Sequence, residues 1–248
     1  MKNIEVKILN PQEIKNAKKM LVCTARLTQR GEKIHSLDDF IKLYEKPYTE
    51  DTIRNLVSLP HPTIQKFGCI NVVVVGASRR FLAQITRHQN EVKFMSASLQ
   101  YSDYSSEADV VIPYELLETL IEKIYKDMCK EGLENYKDFI DGGWNNDIAG
   151  YIMPQGLRNT LIISATPFQW KYMIHLRTCK RNTSETRIVM LKIWELLYKE
   201  SPALFSDCGP FCTNDYCREG KMSCGMAYPK SISPTEILKQ EFPKLYKK

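Results

Sequence analysis

The residues best equipped for chemistry lie in one short stretch. Gln84 precedes Arg87-His88-Gln89, and Phe94-Met95-Ser96-Ala97-Ser98-Leu99-Gln100-Tyr101-Ser102 follows. A guanidinium, an imidazole, amides, hydroxyls and a phenol are thereby gathered close together. Guanidinium pairs with phosphate in a bidentate way, and hydroxyl and backbone N–H groups suit phosphate oxygens or base edges. The set matches an anionic, planar, hydrogen-bonding ligand such as a nucleotide or a flavin. Gln84 and Arg87 are one helical turn apart, so they project from neighbouring faces. Read alone, Arg87 and His88 equally suit a cationic helix end that satisfies its own C-terminal carbonyls. Ser96 and Ser98 equally suit a serine-rich turn with a structural Tyr101.

Arg177 is a second anchor. It ends an otherwise apolar helical stripe of Trp170, Met173 and Ile174. A charge on such a stripe needs an anion or a hydrogen-bonding partner, because burying it alone is costly. An internal ion pair or a snorkelling stem would also meet that need. His175 stands two residues earlier and reads as structural or as a lining group. His61 and Thr63 lie in the prolyl segment Leu59-Pro60-His61-Pro62-Thr63. Near the C-terminus, Cys208, Cys212, Cys217 and Cys224 are flanked by the turn formers Gly209-Pro210, Gly220 and Gly225. Four thiolates suit tetrahedral Zn²⁺, a structural metal. Their spacing departs from Cys-x-x-Cys, so free thiols remain the alternative. Cys23, Cys69, Cys129 and Cys179 read as isolated thiols without a nucleophile's local signature.

These groups need a frame. Residues 3–9 suggest a strand and Pro11 to Thr24 a helix, with short helices over Ser36–Tyr44 and Thr49–Ser58, both with polar starts. The apolar run Ile70 to Val75 reads as a buried strand, broken by Gly76-Ala77-Ser78. A helix from Ser78, its N-cap, to His88 then leads into the hydroxyl loop. Pro113 to Glu131 is amphipathic, with Leu117, Leu120, Ile121, Ile124, Tyr125 and Met128 at three- and four-residue steps and Gly132 as its stop. Leu157 to Thr166 reads as a strand or an extended piece. Thr166-Pro167 starts a helix to about Cys179 as cap and first residue. Asn182 and Glu185 form a capping box for a helix to about Lys199. The fold class is α+β, a sheet flanked by helices. Residues 1–200 form the main domain and 201–248 a Cys-rich C-terminal appendage.

Bulk properties narrow the partners. The chain has 248 residues, 43% hydrophobic and 26% charged, as an ordinary folded domain does. Its net charge of +6 suits an anionic ligand but is spread along the chain, which speaks against a nucleic-acid partner. No segment approaches the ~20 apolar residues of a membrane span. Met1-Lys2-Asn3-Ile4-Glu5 lacks a signal peptide's apolar core. A cytoplasmic location follows, in which the eight cysteines are thiols or metal ligands rather than disulfides.

The chemistry-bearing stretch resembles the flavin-dependent thymidylate synthases. That family carries Arg-His-Arg, seven residues, then Ser-x-Arg-Tyr. Here Arg87, His88, Ser98, Tyr101 and Ser102 match, Gln89 and Gln100 replace arginines, and the spacing is one residue longer. His61 and Thr63 match a His-x-Ser/Thr segment that helps hold flavin, though Lys66-Phe67 stands where Glu-His is usual. Leu176-Arg177, Asn182 and Glu185 match the end of one helix and the start of the next. Gly150 replaces the Arg of Arg-x-x-x-Pro, and Thr166-Pro167-Phe168 replaces Asn-x-Arg. The likeness spans roughly residues 55–200.

The resemblance implies a homotetramer with sites between subunits. It implies reductive methylation of dUMP with FAD as cofactor, methylenetetrahydrofolate as carbon donor and NADPH as reductant. No enzymic nucleophile is needed. Arg177 would activate the pyrimidine by favouring ionisation at N3. Gln84, Arg87, Ser96, Ser98, Leu99, Gln100 and Tyr101 would bind the nucleotide, and His61, Thr63, Arg87, His88, Gln89 and Tyr172 the flavin. Glutamine at 100 would turn a charged phosphate contact of roughly 1.5–3 kcal/mol into a neutral one of ~1 kcal/mol. The changed cations at Gln89, Gln100 and Gly150 leave two alternatives: a paralogue alkylating another pyrimidine nucleotide, and a non-catalytic nucleotide-binding or scaffold protein.

Overall fold

The run Ile70-Asn71-Val72-Val73-Val74-Val75 supplies the central strand, as its β-branched residues favour. The computed structural model describes residues 4–214 and 217–246. Its sheet has four strands: β1 (Glu5–Ile8), β2 (Ile70–Ser78), β3 (Val92–Ser96) and β4 (Arg158–Ala165), in the order β1-β2-β4-β3. All neighbours are antiparallel, with Val72 opposite Ile163 and Val74 opposite Leu161. Ile70, Val72, Val74, Leu161, Ile163 and Ala165 alternate onto one buried face. Val75, Met95 and Ile162 alternate onto the other, which is exposed.

The expected break at Gly76 is instead a bulge. The register slips between Val75 and Ala77, and Gly76 takes φ +80°, so β2 continues to Ser78. One extra residue in a left-handed conformation is what such a bulge requires. The bulge aims Ser78 at the start of the next helix, α4 (Arg79–Ile85), where its hydroxyl accepts from the Phe81 N–H as the expected N-cap.

The buried face is covered by α1 (Gln12–Arg30), α7 (Pro167–Arg177) and α8 (Ser184–Glu200). The Trp170 indole on α7 donates to the Ile70 carbonyl at 3.0 Å. The short helices α2 (Leu37–Glu45) and α3 (Glu50–Val57) start at their Ser36 and Thr49 caps as the sequence suggests. Thr166 caps α7, with Pro167 first in the helix.

Two helices differ from expectation. Gly132 does not stop a helix. It lies inside α5 (Leu120–Asp141), which ends at Gly142. The continuing apolar steps Leu133, Tyr136 and Ile140 carry it onward, and Tyr136 is wholly buried with Ala149, Met153 and Leu157 in a second cluster. The stripe Leu120, Ile121, Ile124 and Met128 faces outward, at 92% exposure for Leu120. At α8 the cap is Thr183, not Asn182, whose amide instead donates to the Leu176 carbonyl at 2.7 Å. Glu185 turns inward rather than back on its own helix. It accepts from the Ser78 N–H at 2.6 Å and the Ser78 hydroxyl at 2.5 Å.

The segment after Ser201 adds to the sheet's own core. Leu204, Phe205, Ile237, Leu238 and Phe242 lie in the same buried cluster as Val72 and Ile163. Its one longer helix, α9 (Pro234–Glu241), is tied to α8 by a buried network in which Arg187 pairs with Glu241 and donates to the Tyr228 hydroxyl at 2.6 Å.

Candidate active site

Helix α4 and the turn after it place His88 against the last turn of α7. His88 is buried and lies edge-on to the Tyr172 ring at 6.1 Å. Arg177 donates its Nε–H to His88 Nε2 at 2.9 Å and an Nη2–H to the Gln84 carbonyl at 2.8 Å. His88 Nε2 therefore accepts, and the neutral ring carries its proton on Nδ1. Burial, then the neighbouring Arg177 charge, lowers the His88 pKa to about 4. Burial, then the Arg87 charge, also weakens proton binding at Arg177, which still remains a cation. Two guanidiniums thus stand together, and among the described residues neither is in an ion pair with a carboxylate. The Arg177 Nη1 group and the exposed Arg87 are free to receive an anion.

Gln84 is held in place by helix α8. Its Oε1 accepts from the Thr186 hydroxyl at 2.6 Å, leaving its NH₂ group as a donor. Thr183 and Thr186 were not legible as site residues, since a threonine pair at a helix start reads only as capping. His61 and Thr63 are exposed around the 3-10 turn Pro62–Gln65. That turn is fixed to α7 by the Lys171 ammonium, which donates to Gln65 Oε1 at 2.7 Å. Gln89 is exposed beyond His88.

The hydroxyl loop lies elsewhere on the chain. It leaves the end of β3, where the Ala97 N–H donates to the Thr160 carbonyl at 3.1 Å. Ser98 Oγ accepts from the Gln100 N–H at 3.1 Å, and Tyr101 projects outward. Ser96, Ser98, Leu99 and Gln100 line a cleft of about 650 Å³ together with Arg79, Asp147 and Tyr151. Gly150 meets this loop closely: a Cβ there would stand 3.3 Å from Leu99 Cβ. Arg177 instead opens on a different cavity of about 570 Å³. One chain thus brings Gln84, Arg87, His88, Tyr172 and Arg177 together, whereas Ser96, Ser98, Leu99 and Gln100 line a different cleft. Arg79, directly after the cap Ser78, lines the cleft too and was not among the sequence-based candidates.

The four C-terminal cysteines do not converge. Cys208 is buried in the core, where burial pushes its thiol pKa far up. Cys212, Cys217 and Cys224 line the Arg177 cavity, and Cys179 joins them there. Burial raises the Cys179 pKa, and Cys224 and Cys212 add to the rise. All eight cysteines are free, and among the described residues no three His, Cys, Asp or Glu side chains stand ready to hold a metal.

The sequence pattern of thymidylate synthase complementing proteins matches residues 11–203. The chain belongs to that family. Its members are flavin-dependent thymidylate synthases, so the chain is an enzyme of the methyltransferase class. The flavin-dependent thymidylate synthase of Geobacter sulfurreducens is 23% identical over 174 residues, covering 69% of this chain and 75% of that one. Among solved structures, thymidylate synthase X from Helicobacter pylori with FAD and dUMP matches with a TM-score of 0.62 at 18% identity, covering 83% of this chain and 98% of that one. The UMP/dUMP methylase PolB from Streptomyces cacaoi matches with a TM-score of 0.63 at 15% identity, covering 84% and 96%. The thymidylate synthase X fold is thereby shown for this family member, with helices and sheet as the sequence implied.

Proposed function

We propose that this family member methylates dUMP reductively to dTMP, taking the carbon from methylenetetrahydrofolate. The observation that carries this reading is the posture of Arg177. Its guanidinium is fixed by His88 and the Gln84 carbonyl, has Arg87 beside it, and keeps Nη1 for a ligand. Directed at a pyrimidine's O2 and N3, it stabilises negative charge there and so raises electron density at C5. Neutral His88 keeps the Nε–H of Arg177 engaged at any pH well above 4. The Gln84 NH₂ donates to a carbonyl of the base.

The residues present fit FAD: two adjacent cations without carboxylate partners suit its phosphates, Tyr172 stands edge-on to His88 beside them, and the exposed His61, Thr63 and Gln89 offer further polar groups. FAD, reduced by NADPH, supplies the hydride when bound. The protein's part is positioning and electrostatics.

The two separated halves argue for completion between copies, in a cytoplasmic homotetramer. The Ser96–Tyr101 loop of one copy would meet the Arg177 region of another, and the exposed Leu120, Ile124 and Met128 stripe offers apolar contact area. Arg79, lining the loop's cleft, supplies the cation for the nucleotide phosphate that Gln100 and Gly150 lack. The same changes favour a second reading, in which the substrate is a different pyrimidine nucleotide, such as UMP or dCMP.

The purified chain is tested by visible absorbance with FAD, then with dUMP, and by product formation from dUMP, UMP and dCMP. The expected result is a flavin spectrum perturbed by dUMP and dTMP formation dependent on methylenetetrahydrofolate and NADPH. Turnover confined to UMP or dCMP would select the second reading. A colourless chain that takes up no FAD would overturn both.

A further inference from the structure

The cavity of about 570 Å³ behind Arg177 has a wall that methyl transfer does not use. Four thiols line it. Cys179 comes from the loop between α7 and α8, two residues after Arg177. Cys212 comes from the 3-10 turn Phe211–Asn214, and Cys217 and Cys224 from the irregular segment beyond. Gly220, between Cys217 and Cys224, takes φ +51°, and both thiols line the same cavity. None of these thiols is in a disulfide. Lys180, Arg181 and Arg218 line the same cavity.

We propose that Cys179, Cys212, Cys217 and Cys224 form a tetrathiolate metal site that takes Zn²⁺ and fastens the C-terminal turn segment to the loop behind Arg177. The donor set is that of a structural zinc centre, and Cys208, the nearest in sequence, is excluded because it is buried outside the cavity. Binding releases the four thiol protons to solvent and leaves a complex of net charge −2, which the surrounding lysine and arginines offset. The sulfurs do not yet stand at coordination distance from a common point, so metal uptake draws the segment inward. Among its described residues the segment carries short turns such as Gly220–Met222, tied by the Arg181–Glu219 pair at 2.6 Å and by the Arg218 guanidinium over the Phe211 ring at 4.1 Å. Ligand sets that close only on binding are ordinary for small zinc sites.

The test uses the full chain, purified under reducing conditions and stripped with a chelator, with Zn²⁺ alone as probe. After desalting, about one Zn²⁺ per chain is retained and about four thiols become resistant to a thiol reagent. Co²⁺ in its place gives the intense charge-transfer bands of a tetrathiolate. Cys179→Ser and Cys224→Ser lose the metal, whereas Cys208→Ser and Cys69→Ser retain it. No retained Zn²⁺ and no thiol protection in the unmodified chain would overturn the site, even if every serine variant failed to fold. Metal loss in Cys208→Ser with retention in Cys179→Ser would overturn this ligand assignment. Neither outcome depends on which nucleotide the enzyme methylates.

Discussion

His88 offers the most direct physical test of the Arg177 arrangement. Its native pKa of about 4 lies below the ordinary value of 6.5, so the unfolded chain binds the proton more tightly. Stability is then unaffected above pH 6.5, falls as pH drops through the window from 6.5 to 4, and levels off below it. At pH 4 the full shift corresponds to ~3 kcal/mol, and halving it for solvent screening around the partly exposed guanidinium leaves about 1.5 kcal/mol. Replacing His88→Gln keeps an acceptor for the Arg177 Nε–H but removes the titration. Urea unfolding of both proteins at pH 7.5, 5.5 and 4.5 is the assay. The unmodified protein should lose roughly 1 kcal/mol more than the variant over that range. Parallel curves would refute both the neutral buried histidine and the donor direction assigned to Arg177.

Other perturbations probe the same frame. Arg177→Lys loses the Nε–H to His88 and the planar fork, so kcat/KM for the nucleotide should fall at least ~100-fold while the melting temperature barely moves. Glu185→Ala strands the Ser78 N–H and hydroxyl in the core, and unfolding free energy should drop by about 2–3 kcal/mol in denaturant titration. Gly150→Ala places a Cβ 3.3 Å from Leu99 Cβ, so KM should rise with little change in kcat. Combining it with Leu99→Ala should restore the original KM.

Much of the frame was legible in the sequence because it rests on local rules. Caps at Ser36, Thr49, Ser78 and Thr166 each satisfy a backbone donor a few residues away, and the apolar run from Ile70 to Val75 revealed β2. Except for the cap one residue off at Thr183, the misreadings involve distant partners. Glu185 looked like a capping residue because nothing nearby shows that Ser78 awaits it across the core. Gly132 looked like a stop because Tyr136, which carries the helix onward, is buried against Met153 and Leu157. Gly76 looked like a turn because a bulge is defined by the strand opposite. In the site, motif spacing found Arg177 and His88 but not their mutual bond. The separation of the hydroxyl loop from Arg177 depends on where β3 and α7 end in space, which no spacing encodes.

The Arg187–Glu241–Tyr228 network has a consequence for synthesis. Arg187 leaves the ribosome more than fifty residues before the carboxylate that neutralises it. Until Glu241 emerges, closing helix α8 over the sheet would entomb an uncompensated cation. A nascent chain halted short of that glutamate should therefore stay open to proteases.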